Sequence, residues 1–228
     1  MRKNISVALA AYNGEKYIKE QLDSILCQLK EKDEIVISLD PSTDSTERIL
    51  SSYHDDRIKL IHGSGSGLIK NFENAIAHTS NDIIFLCDQD DIWTNDKVDC
   101  VLNSFSDGIY VVMHDCSIVD EELNVIEPSF FQHRRTKLGI VSNIIQNSYI
   151  GCCMAFRKEL KEYILPFPDP LPMHDQYIGL VGEIKGKNKL IHKPLLYYRR
   201  HGKNVSSTSH SSLFQMIQWR FQIIKAIL

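Results

Sequence analysis

Residues 83–93 read Ile83-Ile84-Phe85-Leu86-Cys87-Asp88-Gln89-Asp90-Asp91-Ile92-Trp93, five apolar residues followed by three carboxylates within four positions. A short unbroken apolar run bounded by polar residues has the character of a buried strand. The carboxylates therefore stand where that strand emerges from the core. Packed this closely they repel one another, and keeping them ionised is costly unless a cation, protons or full hydration offsets the repulsion. Hard divalent ions such as Mg2+ and Mn2+ prefer oxygen ligands and are commonly held by one or two carboxylates together with substrate phosphates. The stretch points to phosphate-ester chemistry, against the plainer reading of an acidic turn that caps the next helix.

Upstream of this strand the chain alternates regularly. Ile5-Ser6-Val7-Ala8-Leu9-Ala10 reads as a buried strand, and Ile18, Leu22, Ile25, Leu26 and Leu29 then recur at the helical period. A second strand, Glu34 to Leu39, runs into Asp40-Pro41-Ser42-Thr43-Asp44, where Asp44 and Glu47 have the spacing of a capping box opening a helix through Leu50. A third strand, Ile58 to Ile61, is followed by the turn His62-Gly63-Ser64-Gly65-Ser66-Gly67 and a helix with Ile69, Phe72 and Ile76 inward. Four strands alternating with three helices predict an α/β fold, a mostly parallel central sheet flanked by helices, with ligands at the carboxyl ends of the strands.

Downstream the pattern loosens into a strand at Tyr110–Met113, a polar segment through Phe130–Arg135 and a strand around Gly151–Phe156. Residues 206–212 read as a polar linker. In residues 213–228 the polar Gln215, Gln218, Gln222 and Lys225 fall on one narrow helical stripe, leaving Phe214, Ile217, Trp219, Phe221, Ile224 and Leu228 on a wide apolar face. Such a helix needs a partner: the protein's own core, a second copy in a homodimer, or the membrane interface.

Composition narrows the class. A chain of 228 residues, 43% hydrophobic and 24% charged, suits one globular domain with a tail. It contains no run of eighteen apolar residues and no leader of the signal type, so a cytoplasmic location is expected, with peripheral contact to the inner face of the membrane through 213–228. The cysteines Cys27, Cys87, Cys100, Cys116, Cys152 and Cys153 form no C-x-x-C pair and read as free thiols rather than a zinc site. Net charge is −3, yet no Asp or Glu follows Glu183 while nine Lys or Arg do, a one-signed end able to meet an anionic partner. Nucleic acid is not expected to be that partner.

Taken in order, Val7-Ala8-Leu9-Ala10-Ala11-Tyr12-Asn13-Gly14, Asp40-Pro41-Ser42-Thr43-Asp44, Lys70-Asn71-Phe72, Phe85 to Trp93, His174-Asp175 and Tyr198-Arg199-Arg200-His201-Gly202-Lys203-Asn204 resemble family 2 glycosyltransferases. The wording Cys-Asp-Gln-Asp-Asp-Ile-Trp is most similar to the bacterial branch that builds O-antigen, capsule and related surface polysaccharides, with rhamnosyltransferase-like members. The resemblance implies a GT-A fold over residues 1–205, with a nucleotide-sugar half to about residue 105 and an acceptor half from 106 to 205, then the linker and amphipathic helix of 206–228. It implies an inverting transferase that takes a UDP- or dTDP-linked sugar, uses Mn2+ or Mg2+, and glycosylates a glycan or lipid-linked acceptor.

The site residues that follow from the resemblance are these. Ala11, Tyr12, Asn13, Asp40, Lys70, Asp88 and Gln89 would hold the nucleotide, Tyr12 lying against the base and Asp40 accepting from a base N–H. Asp88 and Asp90 are the expected metal ligands, with His201 as a further one. Asp91, Trp93, His174, Arg199, Arg200 and Lys203 would meet phosphate or acceptor, the arginines by bidentate pairing. Asp175 is the expected general base, at a helix N-terminus that lowers a carboxylate's pKa and so weakens it as a base. One departure is plain: two aspartates followed by glycine are common where this chain has Leu39-Asp40-Pro41.

Two other classes compete. A phosphohydrolase of the haloacid dehalogenase type also uses Asp-x-Asp after a buried strand, but normally at the start of the chain and with Thr or Val where Ile92 stands. A catalytically silent nucleotide-sugar-binding module would keep the fold without turnover. A nicotinamide enzyme is disfavoured because Ala10-Ala11-Tyr12-Asn13-Gly14 lacks G-x-G-x-x-G.

Overall fold

The computed structural model describes residues 2–202 and 212–228. Four parallel strands make the first half of the sheet: β1 (Ile5–Ala11), β2 (Glu34–Leu39), β3 (Ile58–His62) and β4 (Ile83–Cys87), in the spatial order β3-β2-β1-β4. β1, β2 and β4 are buried at every position, as continuous apolar runs between two helical layers should be. Their register matters for function. Ala11 pairs with Leu39, Leu39 with His62 and Leu9 with Cys87, so the residues that follow each strand emerge at one edge of the sheet.

The helices between them are α1 (Ile18–Leu26), α2 (Thr46–Ser51) and α3 (Leu68–Ala77). α1 buries Ile18, Leu22 and Ile25, and α3 buries Phe72 and Ile76, the positions the periodicity selects. The expected capping box is corrected. The cap of α2 is Ser45 rather than Asp44; Asp44 accepts from the Thr46 N–H at 2.9 Å, and Glu15, in the loop after β1, accepts from the Ser45 N–H at 2.9 Å.

The second half adds β5 (Ile92–Trp93), α4 (Lys97–Leu102), β6 (Ile109–Val119), β7 (Val125–Glu127), α5 (Phe130–Arg134), α6 (Ile140–Ile145), β8 (Met154–Arg157), α7 (Lys161–Ile164), α8 (His174–Lys185) and β9 (Lys187–Arg199). β8 runs antiparallel to β4 and carries the sheet on to β6 and β9, which are parallel to each other; β5 and β7 pair antiparallel with β9 and β6. The fold is α/β, with a curled, mostly parallel central sheet flanked by helices. β9 escapes sequence reading because only Leu195, Leu196 and Arg199 in it are buried and Lys187, Lys189, Lys193 and Pro194 dilute its apolar content.

The terminal helix, α9 (Leu213–Ile227), packs on α6 and α8. Ile223 is fully buried, and the Arg220 guanidinium donates to the Ile145 carbonyl at 2.7 Å, satisfying the last turn of α6. Phe214, Ile217, Phe221, Ile224 and Leu228 remain exposed along one stripe. Thus α9 docks on the chain's own core by one face and presents a second apolar face outward. Of the 206–212 linker, only Ser212, which caps α9, is among the described residues. All six cysteines are free thiols.

Candidate active site

The loops leaving β1, β2, β3 and β4 meet at the carboxyl edge. Tyr12 follows β1 and is 56% exposed. Its backbone is held by Gln89, whose Oε1 accepts from the Tyr12 N–H at 2.9 Å while Nε2 donates to the Tyr12 carbonyl at 2.8 Å. Gln89, expected at the nucleotide, thus acts on the residue that would meet it. Ala11 is buried, and its carbonyl accepts from the Asp40 N–H and from Asn71 Nδ2. Asn13, at a φ of 46°, accepts from the Thr43 N–H at 2.8 Å and so joins the β1 loop to the β2 loop.

Asp40 is buried at the end of β2, and its Oδ1 accepts from the Gly65 N–H at 3.0 Å. A Cβ on Gly63 would lie 2.2 Å from that oxygen, so the glycine-rich turn after β3 is shaped to fold over Asp40. Sequence reading treated this run only as a turn; the signal was the clustering of glycines next to a strand end. Lys70 stands on α3 beside His62, Gly63 and Ser64, with its ammonium paired to Glu73 at 2.6 Å.

Past β4, Asp90 Oδ2 and His201 Nε2 are 2.8 Å apart, and the imidazole stacks on Tyr17 with centroids 4.8 Å apart. Residues 111 positions apart are brought into one pair. Burial first, then the charges of Asp90 and Asp175, push the Asp88 carboxyl up to about 7. Asp91 is 1% exposed; its Oδ1 accepts from the Arg199 N–H at 3.0 Å and its Oδ2 has no partner. Burial first, then Asp90 and Asp88, drive Asp91 well above the usual carboxylate range. Asp88, Asp91 and Cys152 bring ligand atoms within 4.8 Å of one another.

These donors fit a hard divalent cation. A positive ion reverses the mutual repulsion that raises the carboxylates, and an octahedral ion with ligands at about 2.1 Å sets adjacent ligands about 3 Å apart, close to the Asp90–His201 spacing. Burial keeps the Cys152 thiol well above its ordinary range, so carboxylates and imidazole, rather than the sulfur, are the donors suited to such an ion.

Several expected contacts stand elsewhere. Trp93 is 2% exposed, tilted against Phe85 at 5.5 Å, and belongs to the core instead of touching phosphate or acceptor. Arg199 is buried, with its guanidinium 2.5 Å from Glu20, 3.1 Å from the Glu121 carbonyl and over the Tyr17 ring; it braces the His201 segment rather than meeting solvent phosphates. The Arg200 guanidinium leans on Tyr198. Lys203 lies outside the described residues.

Asp175 is the second residue of α8, not its cap; the cap is Met173. Its Oδ1 accepts from the Gln176 N–H at 2.7 Å. The helix terminus was expected to depress this carboxyl. Burial outweighs the amides of Gln176 and Gly151 and holds it up at about 6. Beside it His174 stacks on Phe72 at 4.3 Å, burial lowering the imidazole to about 4, and its Nε2 is buried without a partner. Lys97 and Cys152, beneath the carboxylates, were missed by sequence reading. For Lys97 a signal existed: it lies four residues before the buried Val101, on the inward face of α4.

Comparison with known proteins agrees with this architecture. Residues 6–164 match the family model described as Glycosyl transferase family 2, a match that ends before Asp175 and His201. The chain is 27% identical over 222 residues to the dTDP-rhamnosyl transferase RfbG of Shigella flexneri, covering 86% of this chain and 72% of that protein. It is 24% identical over 194 residues to the UDP-Glc:α-D-GlcNAc-diphosphoundecaprenol β-1,3-glucosyltransferase WfgD of Escherichia coli, covering 81% and 71%. Among solved structures, S. aureus TarS 1-349 in complex with UDP-GlcNAc shares the fold with a TM-score of 0.75 at 20% identity, covering 99% of this chain and 68% of that one. The chain spans about two thirds of the length of the curated relatives it matches.

Proposed function

The chain belongs to glycosyl transferase family 2, and we propose that it moves a sugar, with inversion, from a UDP- or dTDP-linked donor to a hydroxyl of a glycan or lipid-linked acceptor in bacterial surface-polysaccharide synthesis. The observation that carries this reading is the convergence of Asp88, the Asp90–His201 pair and Asp175 at the sheet edge that also bears Tyr12. Tyr12 offers a flat face to the nucleobase, and Asp40 an acceptor for a base N–H. Mn2+ or Mg2+ held by Asp88, Asp90 and His201 would supply Lewis-acid neutralisation of the departing diphosphate. Asp175 takes the proton of the acceptor hydroxyl as that oxygen bonds to the anomeric carbon from the side opposite the breaking carbon–oxygen bond. A carboxylate held near 6 is a stronger base than an ordinary one, which suits it to this step. The neutral His174, with its unpartnered Nε2, is a polar contact for either sugar.

The outward face of α9 would lie in the plane of the membrane. No helix among the described residues is long and apolar enough to cross one, whereas Phe214, Ile217, Phe221 and Leu228 present an apolar stripe on a segment without acidic side chains. A lipid-linked acceptor would then meet the site from the bilayer surface.

Incubating the protein with Mn2+, a panel of UDP- and dTDP-sugars and a membrane extract should release nucleoside diphosphate and yield a product of inverted anomeric configuration by NMR. Donor binding without turnover would make the chain a silent binding module. A product with retained configuration would remove Asp175 as base. Asp90→Ala should abolish metal-dependent donor binding in calorimetry, and unchanged affinity would reject the metal assignment.

A further inference from the structure

Beneath the carboxylates lies a cation that the transfer step does not use. Lys97 opens α4 and has no solvent exposure. Its Nζ donates to the Cys152 carbonyl at 2.8 Å and sits 3.9 Å from the centroid of the Trp93 ring. A buried lysine is costly to desolvate, and here its hydrogen bond goes to a carbonyl rather than to a carboxylate. Filling the same volume with an apolar chain would avoid that cost, so the ammonium has a task beyond packing.

The carbonyl it binds belongs to the Gly151–Cys153 turn, a single 3-10 turn between the segment at Ile150 and β8. The turn touches both halves of the site. On one side the Cys152 sulfur groups with Asp88 and Asp91. On the other, the Gly151 N–H faces the Asp175 carboxylate. A Cβ on Gly151 would lie 3.6 Å from the Asp175 Cβ and 3.2 Å from His174 Nε2, so the turn packs directly against the start of α8. The Cys152 carbonyl is buried and needs a donor. Lys97 reaches it from below, and its charge also favours the ionised form of Asp88.

We propose that Lys97 is a positioning residue for sugar transfer: its buried ammonium pegs the Gly151–Cys153 turn and thereby sets Asp175 relative to Asp88 and Asp91. This role rests on the assignment of those carboxylates above, and it is reached through the turn, without contact to donor or acceptor. A base displaced by a fraction of an ångström keeps its donor site but loses alignment with the acceptor hydroxyl.

The test is Lys97→Met, read by steady-state kinetics and by native-state amide hydrogen exchange. The expected result is a kcat lower by about 100-fold with the donor KM within about twofold of wild type. Exchange should quicken at residues 151–153 and at Gln176 while β1 and β2 stay as protected as before. A wild-type kcat, a loss of donor affinity matching the loss of kcat, or exchange quickening across the whole sheet would each overturn the proposal. Should the wild-type protein transfer no sugar, the exchange data still decide: loosening confined to the turn and Gln176 upholds the peg and leaves only the assigned reaction to fall, and any other pattern removes the peg. If Lys97→Met does not fold, Lys97→Gln, whose amide stops short of the Cys152 carbonyl, is read by the same criteria.

Discussion

The side-chain amide of Gln89 pairs with both backbone polar groups of Tyr12, at 2.9 and 2.8 Å, and so fastens the strand that carries the carboxylates to the loop that carries the aromatic face. Gln89→Leu removes both bonds at once. Donor affinity should weaken about tenfold, equivalent to about 1.4 kcal/mol, with the thermal midpoint little changed. Gly14→Ala should act alike, since its Cβ would lie 2.2 Å from Gln89 Oε1 and displace the amide. Calorimetric titration with UDP and Mn2+ checks both, and full affinity in either variant would contradict the coupling.

Asp175 provides a pH signature. A base works in its unprotonated form, and burial holds this carboxyl at about 6. The rate of transfer should therefore rise with pH through about 6 and fall away below it. Asp175→Asn should lower kcat by on the order of 10²–10⁴ while leaving donor binding intact. A flat profile across that range, or a fast Asn variant, would remove Asp175 from the role.

Glu34 makes a test of stability away from the site. Although burial opposes its charge, hydrogen bonds from Lys59, Ser6 and Ser80 hold its carboxyl down at about 2. An unfolded Glu protonates near its ordinary 4.5, so between these values the unfolded chain binds the extra proton. The stabilisation is present above about 4.5 and is lost as pH falls through about 2; it amounts to on the order of 3 kcal/mol. Glu34→Gln should lower the thermal midpoint at pH 7 and flatten the acid dependence of stability. A variant as acid-sensitive as wild type would place that sensitivity elsewhere.

The two faces of α9 should respond differently. Ile217→Glu with Phe221→Glu should abolish sedimentation with anionic vesicles while leaving the fold and turnover of a soluble acceptor unchanged. Ile223→Asp, on the buried face, should destabilise the protein by about 2–5 kcal/mol. If the wild-type chain ignores vesicles and scatters light as a dimer, the outward face is a dimer interface.

Much of the first half was legible in advance. β1, β2 and β4 are buried on both faces, which forces unbroken apolar runs, and parallel register then carries Tyr12, Asp40 and Asp88 to one edge. Less of the second half was, because β9 has few buried residues and lacks that signature. Single side chains were hardest. Trp93, expected at the site, lies in the core against Phe85, and Lys97, which sequence reading missed, lies beneath the carboxylates. Arg199, expected at phosphate, is held by Glu20, 179 residues away.

By itself the amino-acid sequence determined the alternation of strands and helices, the outlet of the acidic cluster and the amphipathic character of the last helix, because periodicity and burial of an element depend on residues close in the chain. Tertiary structure alone decided that His201 meets Asp90, that Asp175 faces Asp88 from a half-buried position that raises its carboxyl, and that Lys97 binds Cys152. Those outcomes depend on desolvation and on polar partners contributed by distant segments, and no local pattern encodes which partner a buried charge will find.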